Sequence, residues 1–155
     1  NMIYEGTNGI QALDLLGRKV LMDRGAKFGR FAALVKATLS GLQDRPELAE
    51  FTTPLGKLLA DTVALTQEIG LRAQADPNEV GAASVPYLRI IGHLCFAWLW
   101  ARMAALAHGK DDAFHAAKLA TARFYFAWLL PEVEQRFREA RAGAPALMTL
   151  PAEDF

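Results

Sequence analysis

The chain has only one cysteine, no net charge and no strand-like alternation of useful length. Its single cysteine, Cys95, cannot form an internal disulfide, and this usage fits a reducing cytosol. Seventeen basic residues balance seventeen acidic ones, so we expect no electrostatic surface for nucleic acid or an anionic membrane. The N-terminal residues lack the basic, apolar and cleavage regions of a signal peptide. The sequence therefore predicts a cytoplasmic location.

Long apolar runs are also lacking. The most apolar run, residues 90–101, is too short to span a bilayer, contains His93 and is bracketed by Arg89 and Arg102. We therefore expect no transmembrane segment. Hydrophobic residues make up 52% of the chain, which excludes a disordered protein, and 155 residues are enough for one domain with a core.

Apolar residues instead recur at helical spacing along most of the chain. The pattern predicts an all-α fold, an antiparallel bundle of about five helices with short connections. The first helix should bury Ile10, Leu13, Leu16 and Val20. The predicted helices span residues 7 or 8 to 22, 26–42, 53–75, 79–107, and 111 or 112 to 142. Pro54 should open the third helix after an N-cap at Thr53. Pro86 should kink the fourth helix or mark a local boundary in it, and Pro131 should bend the fifth.

Residues 4–11, which read Tyr-Glu-Gly-Thr-Asn-Gly-Ile-Gln, precede the first predicted helix. Thr7 and Asn8 are favoured N-caps, and a helix start attracts phosphates and other anions. Glu5 would stand beside it, where its surroundings could tune its pKa for proton transfer. From spacing alone, such a segment is more often a solvated turn before a capped helix, and both interpretations stay open at this point.

Residues 3–19 closely resemble the signature around the catalytic glutamate of the acyl-CoA dehydrogenases. The resemblance implies that Glu5 removes the α-proton of an acyl-CoA thioester while the β-carbon passes a hydride to FAD. It also implies that Gly6 lets the substrate approach the chain, and that Thr7, Asn8, Gly9 and Gln11 contact FAD. An electron-transfer flavoprotein is the implied electron acceptor.

The later part of the chain resembles the C-terminal helical extension of a bacterial subfamily that includes the 3-methylmercaptopropionyl-CoA dehydrogenases. This second resemblance rests on residues 86–89, 124–127 and 141–144. It divides the chain into residues 1–45, the end of the flavoprotein helical domain, and residues 46–155, an appended helical bundle. Family members carry the glutamate motif near the end of a longer polypeptide, so we expect a C-terminal fragment that is inactive alone.

Histidine and cysteine invite a metal interpretation, but their spacing does not support one. His93 and Cys95 are two residues apart, which puts them on different sides of a helix. We expect no metal, and we expect Cys95 to be a core thiol. The aromatic clusters at 96–100 and 124–128 are more typical of core packing than of a ligand pocket.

Those aromatic clusters cover more of the helix circumference than one core needs, so some of the rings should lie at a subunit interface. We therefore expect a homodimer or a homotetramer. The alternative to an enzyme is a non-catalytic helical module for oligomerisation or interaction, in which Glu5 is only a turn residue.

Overall fold

A computed structural model describes residues 2–150 and 152–154, with side chains for residues 7–150, 153 and 154. Within those ranges all regular structure is helical, which confirms the predicted all-α class. The α-helices in chain order are α1 (Met2–Leu13), α2 (Ala26–Gly41), α3 (Ala49–Ala75), α4 (Asn78–Ala107), α5 (Ala113–Phe124) and α6 (Glu132–Ala142). Short 3₁₀ turns span Pro46–Leu48 and Ala152–Asp154.

Two π-helical segments extend these helices. The first, Asp14–Leu21, continues α1, and the second, Tyr125–Leu129, follows α5 and leads past Pro131 into α6. The described residues therefore form five helical rods, as the sequence predicts. Asp112 caps α5 by accepting a hydrogen bond from the backbone N–H of His115 at 3.1 Å, in agreement with the predicted start of the fifth helix.

α4 lies at the centre of the bundle and packs against α1, α3, α5 and α6. Its buried side combines large residues with small ones that let neighbouring helices approach closely: Tyr87, Ile90, Leu94, Ala97, Ala101 and Ala104. The hydroxyl of Tyr87 lies 2.8 Å from that of Thr66, which satisfies both groups in the core. α4 also continues through the buried Pro86 without interruption, so this proline is not a helix boundary.

By length and composition, α4 could cross a membrane, and 33% of its most apolar window is buried within the bundle. Buried helices of soluble proteins share these properties, so the finding does not establish a membrane span. The absence of a transmembrane segment stays a prediction.

Residues on both sides of position 45 share one hydrophobic core. Leu16 and Val20 from the first π segment and Val35 from α2 belong to the same cluster as Phe51 and Leu55 from α3. The proposed division into residues 1–45 and 46–155 stays a prediction about the family architecture.

The predicted start of the first helix is wrong. α1 begins at Met2, so Thr7 and Asn8 lie inside it and do not cap it. The predicted buried stripe is also only half right, because Leu16 and Val20 are buried whereas Ile10 and Leu13 are exposed. Ala12 is the buried residue one turn before Leu16. The wider π turn that follows changes the residue spacing of the buried side, which a fixed 3.6-residue period cannot reproduce.

The predicted start of the third helix is wrong as well. α3 begins at Ala49, directly after the 3₁₀ turn, and contains Pro54 in its interior. Leu48 and Phe51 are almost completely buried at this end. We attribute the earlier start to their burial, which outweighs the single backbone hydrogen bond that Pro54 removes.

Candidate functional site

The residues of the glutamate signature lie along α1. Thr7, Asn8 and Gln11 are exposed, and all three fall within about 100° around the helix axis. Gly9 is partly exposed, and a Cβ at its position would meet nothing within 4 Å. The backbone of Glu5 and Gly6 is helical, but their side chains lie outside the described part of the chain. The structure thus brings three polar candidates to one open side of α1, and it does not test the role of Glu5.

The π segment anchors α1 to the bundle. Leu16 and Val20 point into the core, and Gly17 lies beside Val80 of α4, where a Cβ would make an ordinary contact at 3.7 Å. Asp14, at the junction with α1, pairs with Arg18 at 3.0 Å and with Lys19 at 2.7 Å. The hydrogen bond from Lys19 is the main cause that lowers the pKa of the Asp14 carboxyl. Packing therefore holds the candidate segment to the bundle, and the ion pairs lie within the π segment itself.

A second polar cluster lies between α4 and the second π segment, far along the chain from the signature. The Nδ1 atom of His93 lies 3.0 Å from the Tyr125 hydroxyl, and its Nε2 atom lies 3.5 Å from Glu132. Arg89 donates to the same carboxylate at 2.7 Å, and Arg136 donates to it at 2.9 Å. Sequence patterns did not identify this cluster.

Ionisation in this cluster is set by its neighbours. The hydrogen bonds from Arg89 and then Arg136 lower the pKa of Glu132 to about 2, against the opposing effect of burial. Burial lowers the pKa of His93, although the Glu132 carboxylate acts in the opposite direction. Burial also raises the pKa of the Tyr125 hydroxyl. A neutral imidazole between a phenol and a fixed carboxylate orients these side chains at the edge of a groove of about 550 Å³.

Metal-ligating side chains do not gather elsewhere in the described residues. Within residues 7–150, no group of three His, Cys, Asp or Glu side chains lies close enough to hold an ion. Cys95 is half-buried in α4, and burial raises the pKa of its thiol, which disfavours the reactive thiolate.

The aromatic clusters divide between the core and the surface. Tyr125 is buried, and Phe126 packs edge-to-face on the buried Phe51 with ring centroids 5.4 Å apart. Phe96 and Trp128, in contrast, are 56% and 77% exposed. Core packing thus explains only part of the pattern, because Phe96, Phe124 and Trp128 are exposed.

Comparison with known proteins places the chain in a family. The family model described as "Acetyl-CoA dehydrogenase C-terminal like" matches residues 31–151. The 3-methylmercaptopropionyl-CoA dehydrogenase of Ruegeria pomeroyi is 37% identical over 95% of this chain and 26% of its own length. The broad-specificity linear acyl-CoA dehydrogenase FadE5 of Mycobacterium tuberculosis is 31% identical over 83% of this chain and 23% of its own length.

A butyryl-CoA dehydrogenase of Syntrophomonas wolfei is 26% identical over 99% of this chain and 26% of its own length. The chain thus spans about a quarter of the length of the curated relatives that it matches. The family model covers well over half of the chain, and the all-α bundle agrees with the class that the signature implies. The chain belongs to the acyl-CoA dehydrogenase family and corresponds to its C-terminal helical region.

Proposed function

We propose that this chain is the C-terminal helical part of a FAD-dependent acyl-CoA dehydrogenase that oxidises an acyl-CoA thioester to the 2-enoyl-CoA. The observation that carries the proposal is the signature at residues 3–19, found in a chain of this family. Three relatives, all of them acyl-CoA dehydrogenases, support the reaction class.

Glu5 is the proposed general base. An α-proton of a thioester is weakly acidic, so its removal needs a carboxylate that is held close to it and shielded from water. The backbone N–H of Glu5 is a proposed donor to the thioester oxygen, on which negative charge develops as the proton leaves. Gly6 carries no side chain, so the acyl thioester can pass close to the backbone beside Glu5.

Thr7, Asn8, Gly9 and Gln11 are the proposed contacts to FAD. The residues fit this role, because Thr7, Asn8 and Gln11 offer hydroxyl and amide groups on one exposed side of α1. Gly9 leaves open space beside them. A bound flavin supplies the two-electron acceptor for the hydride. The remaining contacts to FAD and to CoA would come from other parts of the full-length protein.

The same proposal includes the partners. The acyl-CoA is the substrate, an electron-transfer flavoprotein is the electron acceptor, and the enzyme works in the bacterial cytoplasm as a homodimer or homotetramer. Because this chain would provide only one wall of the flavin site, we propose that it neither retains FAD nor oxidises an acyl-CoA alone.

The test is the absorption spectrum of the full-length protein and of this chain, each purified without added flavin. We expect flavin bands in the full-length protein that bleach when an acyl-CoA is added under anaerobic conditions. We expect a colourless chain of 155 residues. A full-length protein without flavin, which also fails to bind added FAD, would contradict the proposal and favour a non-catalytic interaction module. Stoichiometric flavin in the isolated chain would overturn its proposed inactivity.

A further inference from the structure

Two tyrosines are buried in the bundle, and their hydroxyl groups have different partners. Tyr87 is completely buried, and its hydroxyl lies 2.8 Å from that of Thr66. Because the Thr66 hydroxyl itself donates to the backbone carbonyl of Thr62 at 2.7 Å, Tyr87 donates to an alcohol oxygen. The hydroxyl of Tyr125 lies instead 3.0 Å from the Nδ1 atom of His93. Of the two buried phenols, the one at Tyr125 therefore faces a nitrogen base.

The neighbours of His93 determine which of its ring nitrogens carries the proton. Its Nε2 atom lies 3.5 Å from the Glu132 carboxylate, which accepts hydrogen bonds and donates none. A neutral imidazole therefore carries its proton on Nε2, because a bare lone pair there would face the anion. Its Nδ1 atom then has a lone pair, to which the Tyr125 hydroxyl donates. The backbone carbonyl of His93, 3.1 Å from the same hydroxyl, is the favoured acceptor only when Nδ1 is protonated.

This hydrogen bond couples the loss of an electron from Tyr125 to the loss of its proton. A phenol that loses an electron becomes a strong acid, and a buried cation without a partner is costly. Burial raises the pKa of the Tyr125 hydroxyl, so the phenol does not lose its proton first. The proton can instead move along the existing hydrogen bond to Nδ1 of His93 as the electron leaves. The products are a neutral phenoxyl radical and an imidazolium.

The carboxylate that would stabilise this imidazolium is already in place. Glu132 has a pKa of about 2, so it faces Nε2 of His93 as an anion. Because the pair is partly buried, its attraction is stronger than it would be in water. Arg89 and Arg136 donate to the same carboxylate and offset part of this attraction. Glu139, which pairs with Arg136 at 2.8 Å, compensates one of the two guanidinium charges.

The ring of Tyr125 forms part of the wall of the groove of about 550 Å³, together with Trp100 and Leu129. Phe96 and Phe126 pack edge-to-face on this ring, with centroids 6.3 Å and 5.6 Å from its own. The side chain is only 5% exposed, so its hydroxyl is shielded from bulk water. An electron can leave through the groove wall without contact between the ring and the oxidant, so a polypeptide segment lying over the groove would not prevent the transfer.

We infer that Tyr125 is a redox-active tyrosine, which gives one electron to an outer-sphere one-electron oxidant and its hydroxyl proton to Nδ1 of His93. The O–H bond of Tyr125 breaks, an N–H bond forms on His93, and the oxidant is reduced by one electron. Return of an electron, and of the proton from Nδ1, restores the phenol. His93 is the proton acceptor, and Glu132 is a positioning residue. This redox chemistry needs neither Glu5 nor FAD, so its test is independent of the proposed dehydrogenase activity.

The experiment oxidises the purified chain by laser flash-quench with tris(bipyridyl)ruthenium(III), an outer-sphere one-electron oxidant, above pH 6.5, where His93 is neutral. Transient absorption and electron paramagnetic resonance identify the phenoxyl radical and distinguish it from tryptophan radicals. A Tyr4→Phe background removes the third tyrosine of the chain. We expect a phenoxyl radical that Tyr125→Phe abolishes. Tyr87→Phe is the matched control, because it also removes a buried hydroxyl, and it should leave the radical yield unchanged.

His93→Gln tests the proton acceptor while Tyr125 stays in place. Glutamine offers no basic nitrogen, so the rate constant of radical formation should fall ~10²-fold or more, as for the loss of a positioned base. Glu132→Gln should slow the reaction less, because it weakens only the stabilisation of the imidazolium. In the wild-type chain the rate should also fall as the pH is lowered below 6.5 and His93 becomes protonated. His93→Gln keeps the proposal testable if Tyr125→Phe fails to fold, and circular dichroism verifies the fold of each variant.

Three results would overturn the inference. A chain that forms no phenoxyl radical, or one whose radical persists in Tyr125→Phe, would contradict the assignment of Tyr125. An equal loss of the radical in Tyr87→Phe and Tyr125→Phe would show that a hydrogen bond to a base gives no advantage over burial alone. A folded His93→Gln chain that forms the radical at the wild-type rate would refute the role of His93 as the proton acceptor.

Discussion

A Cβ added at Gly143 would lie 2.8 Å from the Oε1 atom of Glu79, so the end of α6 meets the start of α4 without space for a side chain. Glu79 is buried, and its Oε1 atom accepts a hydrogen bond from the backbone N–H of Ala144 at 3.1 Å. Arg72 of α3 lies 3.4 Å from the other carboxylate oxygen. This carboxylate therefore joins the ends of three helices, and two predictions follow from it.

Gly143→Ala should lower the free energy of unfolding by about 2–3 kcal/mol. Gly143 has a φ of 72°, which is unfavourable for alanine, and the new methyl group would press on the buried carboxylate. Urea denaturation followed by circular dichroism measures the change. Gly81→Ala, in the exposed interior of α4 where a Cβ meets nothing within 4 Å, is the control and should raise the stability by about 0.5–1 kcal/mol. Equal effects of the two substitutions would contradict the close contact.

Glu79→Ala should cost about 2 kcal/mol, because it leaves Arg72 and the Ala144 N–H without their buried partner. The matched control is Asp61→Ala, which removes an exposed i,i+4 pair with Lys57 and should cost no more than about 0.5 kcal/mol. Limited proteolysis provides a second measurement, since loss of this contact should expose the chain after α6 to cleavage. A Glu79→Ala protein as stable and as resistant as the control would refute the role of this carboxylate.

The sequence predicted the fold class and most of the helices, but it did not predict the local details that position the candidate site. Apolar periodicity located α2, α4 and the α5–α6 rod to within one or two residues, because their buried residues follow regular spacing. It failed at α1, where Ala12 rather than Ile10 or Leu13 is buried next to a π turn. The start of α3 was missed because Pro54 lies inside the helix, a position that sequence rules assign to a helix start or a break.

For the candidate site as well, the sequence points to some residues and misses others. Glu5 and its neighbours are predicted from a contiguous signature, and that prediction rests on the signature alone. The His93–Glu132 cluster was not predicted, because its members are distant in the chain and meet only after α4 and the second π segment have packed together. The sequence held only a weak signal for this cluster, namely the charged residues at 132–141, which begin with Glu132 directly after Pro131.

Stability should decrease on acidification in two steps. His93 has a folded-state pKa below its usual 6.5, so its contribution is present above pH 6.5 and is lost as the pH falls and the unfolded chain takes up the proton. Glu132 has a pKa near 2 rather than 4.5, so its contribution is present above pH 4.5 and is lost as the pH falls towards 2. Denaturation at several pH values measures both.

Single substitutions assign the two steps. His93→Gln should remove the first decrease, which begins below pH 6.5, and Glu132→Gln should reduce the second, which begins below pH 4.5. Glu50→Gln, at an exposed pair with Arg123, should leave the first decrease intact and serves as the control. A wild-type profile that is flat from neutral pH down to pH 4.5 would contradict the buried neutral state of His93.

The most direct test of the proposed function is the rate of flavin bleaching in the full-length enzyme with Glu5→Gln, mixed anaerobically with an acyl-CoA. The substitution keeps the size of the side chain and removes the basic carboxylate. We expect FAD content and ligand binding to persist, while bleaching slows by ~10²–10⁴-fold or more. Glu50→Gln should bleach at the wild-type rate. Bleaching of Glu5→Gln at the wild-type rate would contradict the assignment of Glu5 as the base.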